Sequence, residues 1–198
     1  MYKRQLLGLS VTLLAMTLAC QYFMNNIDDE AIFRRAARRM RTFAVLFVAC
    51  FVAWLLALVL ADGWAVDAAG TVFIEPYKYL HNLVEMPYVA AALLIGVVSV
   101  LWSVWLGWRG SRRAVWFGGV GTVLTVLSLL LLAGWNDTAY YPSLADMQSS
   151  LTIRNSSSSL FTLRTMAWVS LFVPFVAAYI WSVSYTHLRA HETAANLV

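Results

Sequence analysis

The sequence predicts an all-α, polytopic membrane protein with five transmembrane helices. Of its 198 residues, 61% are hydrophobic and only 12% are charged, and the charges lie between long apolar runs. An uncharged run of about 20 residues spans a hydrocarbon core of about 30 Å, because a helix rises about 1.5 Å per residue. A helix also satisfies its own backbone hydrogen bonds in lipid, and the period-two alternation of a membrane strand is absent.

Five runs meet this length requirement and define a transmembrane bundle over residues 6–182. They cover residues 6–24, 42–61, 88–108, 114–135 and 162–182. We expect the first four to form a four-helix bundle and the last to be a terminal helix. Cys20 and Cys50 lie inside the first two runs, where isolated thiols act as small apolar residues; a disulfide is the alternative.

The positive charges predict the orientation. Loops 25–41 and 109–113 are rich in arginine and hold Arg34, Arg35, Arg38, Arg39, Arg41, Arg109, Arg112 and Arg113. The other two loops, with the start of the fifth run, hold only three basic residues, Lys78, Arg154 and Arg164. Arginine-rich loops stay in the cytoplasm, so both are predicted to be cytoplasmic. Because these charges set topology, the net charge of +4 does not indicate nucleic-acid binding. Loop 25–41 is expected to be a helical extension near the headgroups, with an anionic-lipid site as the alternative.

Small residues predict one helix contact, and a proline predicts a kink. Ser99, Ser103 and Gly107 recur every four residues in the third run, and Gly121 and Thr125 do so in the fourth. Such spacing allows helices to approach closely, and the five-residue connection makes these two runs antiparallel neighbours. Pro174 should kink the fifth run, and Ser158 or Ser159 should cap its start.

The chain offers no residue set for catalysis, metal binding or cofactor binding. Neither Asp, Glu, Lys nor His lies in the middle of a run, where a proton or ion path would need one. Asp62 and Glu85, at the outer ends of two runs, are either a proton exit or loop anchors, and the structural role is favoured. All three histidines, His81, His187 and His191, lie outside the runs, so no haem site is expected.

A serine-rich stretch, SSLTIRNSSSSLFTLRTM (149–166), interrupts the apolar sequence. It follows a helix ending GW and the segment YYPSL, and precedes AWVSLFVPFVAAYIW. This order resembles the C-terminal part of subunit II of the cytochrome bd-type ubiquinol oxidases, although the turn YPSLADM departs from the family pattern. The matching residues are Tyr141, Pro142, Leu151, Thr152, Ile153, Asn155, Ser157, Ser158, Thr162, Leu163, Met166, Pro174 and Tyr179.

The resemblance implies a non-haem scaffold subunit in the bacterial cytoplasmic membrane. Its partner would be subunit I, which holds haem b, haem d and the quinol site, so that the complex oxidises quinol and reduces oxygen to water. This chain itself would bind no cofactor and would contact subunit I and membrane lipid. It would supply the second four-helix bundle of subunit II and the terminal helix.

The two ends of the chain do not fit this pattern. Residues 1–5 (MYKRQ) and 183–198 are interpreted as in-frame translation of a sequencing-library adapter, and the chain as a fragment without the N-terminal half of the subunit. A native tail with two histidines is the alternative for the C-terminal end. Two other functions compete with the oxidase: a small polytopic transporter or permease, and a structural membrane protein unrelated to respiration.

Overall fold

The computed structural model describes residues 2–195, which form eight α-helices and one short hairpin. Five helical segments in this range are long and apolar enough to cross a membrane, as the sequence predicted. The chain divides into two units, Met1–Asn155 and Ser156–Val198. The helices are α1 (Tyr2–Asn26), α2 (Glu30–Val59), α3 (Lys78–Glu85), α4 (Pro87–Trp108), α5 (Ala114–Gly134), α6 (Ile153–Ser156), α7 (Leu160–Ser170) and α8 (Val173–Ala195).

The first unit is a four-helix bundle in which α1 packs against α2 and α4 packs against α5. The α4–α5 contact follows the small residues. A Cβ added to Gly96 would lie 2.6 Å from the Thr125 hydroxyl and 2.8 Å from its backbone nitrogen, and one added to Gly121 would lie 2.8 Å from Ser99 Cβ. The two backbones therefore touch where the spacing predicted, and Gly96 and Gly118 extend the contact beyond the predicted set.

The arginine segment after α1 is helical, as expected of a helical extension. Only residues 27–29 separate the two helices, and the Asp29 carboxylate caps α2 by accepting a hydrogen bond from the Ile32 amide at 2.9 Å. At about 1.5 Å per residue, the 30 residues of α2 extend about 15 Å beyond a hydrocarbon core of about 30 Å. The predicted loop 25–41 is thus the end of α1, a short turn and the first three turns of α2.

The two arginine-rich segments lie at the same end of the bundle. Arg112 forms an ion pair with Asp28 in the α1–α2 turn. The Arg41 guanidinium donates a hydrogen bond to the Trp108 carbonyl at 3.1 Å, which caps the C-terminus of α4. This shared end is what the charge pattern requires of loops on one side of a membrane.

In the second unit, the fifth predicted span consists of two helices. Ser159 caps α7 by accepting a hydrogen bond from the Thr162 amide at 3.3 Å, as predicted. The helix breaks at Leu171 and Phe172, whose amides bond to carbonyls only three residues back, and α8 begins just before Pro174. A proline cannot donate the next helical hydrogen bond, so its expected kink becomes this break on its N-terminal side.

The adapter origin of residues 1–5 and 183–198 stays a prediction. Helix α1 begins at Tyr2 and α8 continues to Ala195. Met1 and residues 196–198 lie outside the described residues, as do the side chains of His187 and His191, on which the alternative of a native histidine tail depends.

Candidate functional site

The end of the bundle opposite the arginines carries a folded cap built from both remaining loops of the first unit. Strands β1 (Gly63–Val66) and β2 (Val72–Glu75) form an antiparallel hairpin. The segment after α5 lies along the other edge of β1, where the Val66 amide donates to the Asp137 carbonyl and the Ala139 amide to the Trp64 carbonyl, both at 2.8 Å. Segments that the sequence analysis treated as separate loops therefore share a backbone hydrogen-bond network.

The Gln148 side chain closes the outer edge of β2. Its amide oxygen accepts a hydrogen bond from the Val72 amide, and its amide nitrogen donates to the Val72 carbonyl, both at 2.9 Å. A primary amide places an N–H donor beside a carbonyl acceptor, so it pairs with a strand as a neighbouring backbone would. The backbone amide and carbonyl of Val72 at this edge thus have hydrogen-bond partners without a third strand.

The serine-rich stretch begins as an ordered loop of this cap. Tyr141 and Leu151 form a bridge in which the Leu151 amide donates to the Tyr141 carbonyl at 2.9 Å. Ser150 is fully buried, and its hydroxyl accepts from the Ser143 amide at 3.0 Å. Asn155 accepts from the Thr152 amide at 2.7 Å and donates to the Ser150 carbonyl at 2.9 Å. Residues 141–155 are therefore an ordered loop held by hydrogen bonds, in which Ser150 and Thr152 are buried.

Asn82 joins the cap to the transmembrane bundle. It is fully buried, and its amide nitrogen donates to the Leu132 carbonyl at 3.0 Å and to the Thr138 hydroxyl at 2.9 Å. Its oxygen accepts from Asn136 at 3.0 Å. Leu132 lies in the last turn of α5, where carbonyls have no helical partner, so Asn82 completes that helix end.

The charged residues of the cap act as anchors. Glu75 pairs with Lys78 at 3.1 Å and with His81 Nδ1 at 2.7 Å. The hydrogen bond from His81, followed by the one from Lys78, lowers the pKa of Glu75 below its ordinary value, against the opposing effect of burial. Glu85 accepts a hydrogen bond from Asn136, which favours the loop-anchor interpretation. Asp62 is exposed just after α2, and the proton-exit alternative stays untested for it.

A cavity of about 150 Å³ lies between the four helices of the first unit. Its lining is aliphatic and aromatic apart from three hydroxyls, those of Ser10, Thr122 and Thr125. Ser10 and Thr122 donate to carbonyls of their own helices. Thr125 Oγ1 is buried and has no hydrogen-bond partner among the described residues. Haem iron is held by imidazole, thiolate, thioether or phenolate, so this lining does not fit a haem.

A comparison with protein families identifies the family to which this chain belongs. The family model described as cytochrome bd terminal oxidase subunit II matches residues 3–187, nearly the whole chain. The chain belongs to the cytochrome bd terminal oxidase subunit II family. It is therefore a membrane subunit of a bd-type terminal oxidase, an oxidoreductase complex with haem and at least one further subunit. No curated protein matches the chain.

The motif residues that suggested the subunit II family divide between the two units. Tyr141, Pro142, Leu151 and Thr152 lie in the cap loop, and Thr152 is buried. Ser157 and Ser158 precede α7, whereas Thr162, Leu163 and Met166 lie on α7 and Pro174 near the start of α8. Within the second unit, Thr162 also shares a hydrogen bond of 2.9 Å with the Ser159 hydroxyl. The assignment of these residues to a structural motif of the family stays a prediction.

No pattern in the sequence marked three side-chain amides that organise this subunit II chain, of which Asn82 and Gln21 are buried and Gln148 is exposed. Gln148 and Asn82 organise the cap, and Gln21 organises the arginine end of the bundle. Gln21 donates to the Ser103 carbonyl at 3.2 Å and accepts from the Ser103 hydroxyl at 2.9 Å. A search for ionisable residues passes over an amide. A polar side chain within the predicted span 6–24 was nevertheless a usable signal, because such a group needs a partner in lipid.

Proposed function

We propose that this chain is the scaffold partner of the haem-bearing subunit I of a cytochrome bd quinol oxidase, with which it forms a heterodimer. In this assignment subunit I binds haem b and haem d and oxidises quinol, and the complex reduces oxygen to water. The chain itself supplies no catalytic residue. The observation that carries the proposal is the match to the subunit II family over residues 3–187.

The described residues define which polar groups the first unit offers to a ligand. Between residues 2 and 195 there is no cluster of three His, Cys, Asp or Glu side chains that could hold a metal ion. His81 is the histidine whose side chain is described, and its Nδ1 is engaged by Glu75 in the cap. The polar side-chain groups that line the bundle cavity are hydroxyls. Neither the fold nor the family match supports the transporter alternative.

Co-purification tests the proposal. The full chain, tagged, is co-expressed with a subunit I, and the purified product is examined by a reduced-minus-oxidised absorbance spectrum. We expect both subunits and d-type haem bands in the product. The control is Gly96→Leu, which should separate α4 from α5 and so abolish co-purification. A haem-free product without a partner would refute the proposal and favour the alternative of a small polytopic transporter.

We also propose that the arginine end faces the cytoplasm of a bacterial cell and that the cap faces outward. The support is the distribution of arginine between the two ends of the bundle. The test uses a chain in which Cys20 and Cys50 are replaced by alanine. A membrane-impermeant maleimide should label Ala69→Cys in the hairpin loop of intact cells, and should label Ser111→Cys only after lysis. The reverse pattern would invert the orientation.

A further inference from the structure

An apolar groove runs along the first unit between the end of α1 and the first half of α5. Its volume is about 710 Å³. Helix α1 contributes Tyr22, Asn25 and Asn26 at one end, and α5 contributes the stripe of residues between Val115 and Leu127. We call this feature the α1–α5 groove. It is separate from the cavity inside the bundle and from the cap, and the proposed oxidase function assigns it no role.

The dimensions of the groove match one leaflet of a bilayer. Val115 and Leu127 are twelve residues apart on one helix, which corresponds to about 18 Å. Half of a hydrocarbon core is about 15 Å thick. The groove therefore starts at the arginine end of the bundle and runs to about the middle of the membrane. This is the depth that the acyl chain of a single phospholipid reaches.

Gly119 produces the depth of the groove. It lies in the middle of the α5 stripe, and a Cβ added there would meet no atom within 4 Å. The neighbouring Gly118 is the opposite case, because a Cβ there would lie 2.6 Å from Leu18 and 2.7 Å from the Ser103 hydroxyl. Gly118 thus serves helix packing, whereas Gly119 leaves an open notch on the surface of α5.

Asn25 and Asn26 make the mouth of the groove polar, and Arg113, two residues before the lining residue Val115, adds a positive charge beside it. Arg113 is exposed, and its guanidinium has no hydrogen bond or ion pair among the described residues. The three nearby carboxylates are all engaged: Asp28 by Arg112, Asp29 by the Ile32 amide and Glu30 by Arg34. Eight arginines in segments 25–41 and 109–113 face only these three acids, so this end attracts anions.

We propose that the α1–α5 groove binds an anionic phospholipid, with one acyl chain along α5 and the headgroup phosphate at Arg113. The apolar stripe supplies affinity for the chain. The uncompensated arginine supplies preference for a negative headgroup over a zwitterionic one, which for one basic residue near a membrane surface corresponds to about five-fold. The inference does not depend on the oxidase partner or on which side of the membrane the arginines face.

Trp116 is a built-in reporter for this site, because it lines the groove and 69% of its surface is exposed. The full chain is reconstituted in vesicles of unlabelled phosphatidylcholine. Increasing fractions of a brominated lipid are added, either phosphatidylglycerol or phosphatidylcholine, each with bromine near the glycerol end of one acyl chain. Bromine quenches tryptophan on contact, and the difference between the wild type and Trp116→Phe isolates the contribution of Trp116. We expect half-maximal quenching at an about five-fold lower fraction of phosphatidylglycerol than of phosphatidylcholine.

Two variants separate the site from general membrane attraction. Arg113→Gln should abolish the difference between the two lipids, whereas Arg38→Gln, which removes an exposed arginine of α2, should retain it. A Cβ at position 119 would meet no atom within 4 Å, so Gly119→Leu should fill the groove and remove the preference while the helical circular dichroism spectrum is unchanged. Equal quenching of wild-type Trp116 by both lipids would overturn the proposal. Absence of quenching by either lipid would also overturn it, because the groove would then be covered by protein.

Discussion

Replacing Asn82 with alanine should open the cap while the transmembrane helices stay inserted. The side chain is fully buried, and its loss removes the only described side-chain donor to the Leu132 carbonyl together with the bonds to Thr138 and Asn136. A buried acceptor left without a partner costs about 1–3 kcal/mol, and each further hydrogen bond contributes about 1 kcal/mol. With the lower end of the first range, we therefore expect the closed cap to lose roughly 3 kcal/mol of stability.

Amide hydrogen exchange measures this loss directly, because the cap can open without unfolding of the bundle. A loss of roughly 3 kcal/mol corresponds to about 100-fold faster exchange of the Val66 and Ala139 amides, which bridge the hairpin and the segment after α5. Amides in the middle of α4 and α5 should exchange at unchanged rates.

The matched control is Val84→Ala, which lies on the same helix as Asn82 but has a side chain 75% exposed. This variant should leave the exchange of the cap amides within about two-fold of the wild type, since exposed substitutions have small effects on stability. If the Asn82 and Val84 variants gave the same exchange rates, Asn82 would not be what holds the cap to the bundle.

Three further predictions concern the helix contact, the strand edge and the acidic anchor. Gly96→Ala should lower the free energy of unfolding in detergent by about 1–3 kcal/mol, because its Cβ would meet the α5 backbone. The control Gly8→Ala places its Cβ in open space and should not destabilise the protein. Equal effects of the two substitutions would contradict the close contact between α4 and α5. Gln148→Ala should speed exchange of the Val72 amide about 30-fold through the loss of two hydrogen bonds, and an unchanged rate would show that the edge is protected otherwise. The folded pKa of Glu75 is lowered, so its stabilisation is complete above the unfolded value of about 4.3 and is lost as the pH falls through the folded value. The protection factors of the cap amides, which compare each exchange rate with the intrinsic rate at the same pH, should fall between about pH 5 and about pH 3 in the wild type and should fall less in Glu75→Gln.

The transmembrane part of the fold could be predicted because its signals are local. A run of apolar residues fixes the length of a span, and the four-residue spacing of Ser99 and Ser103 and of Gly121 and Thr125 marks a close contact within one hairpin. Pro174 predicts a break through its own missing amide hydrogen. Each of these signals depends on residues within a few turns of one another.

The cap and its amides could not be predicted in the same way. Asn82 and Thr138 are 56 residues apart, and Gln148 and Val72 are 76 apart. The strands are only four residues long, too short for a pattern of alternation to stand out from the surrounding loop. An isolated Asn or Gln is ordinary in a loop, and only the fold shows that these two are buried or paired with backbone. Helix α2 begins before the predicted span 42–61 because the helical extension expected in segment 25–41 is continuous with that span.

The long separations within the cap also set an order of events during synthesis. The hairpin of residues 63–75 precedes α4 and α5 along the chain, so it is synthesised before the segment that covers β1 and before the Gln148 amide that covers β2. Both edges of the hairpin are then open to pairing with other strands. The second helical hairpin must insert and deliver residues 136–148 before the first loop is protected. Insertion of α5 is thus the step that ends the period in which this subunit can misassemble on its cap side.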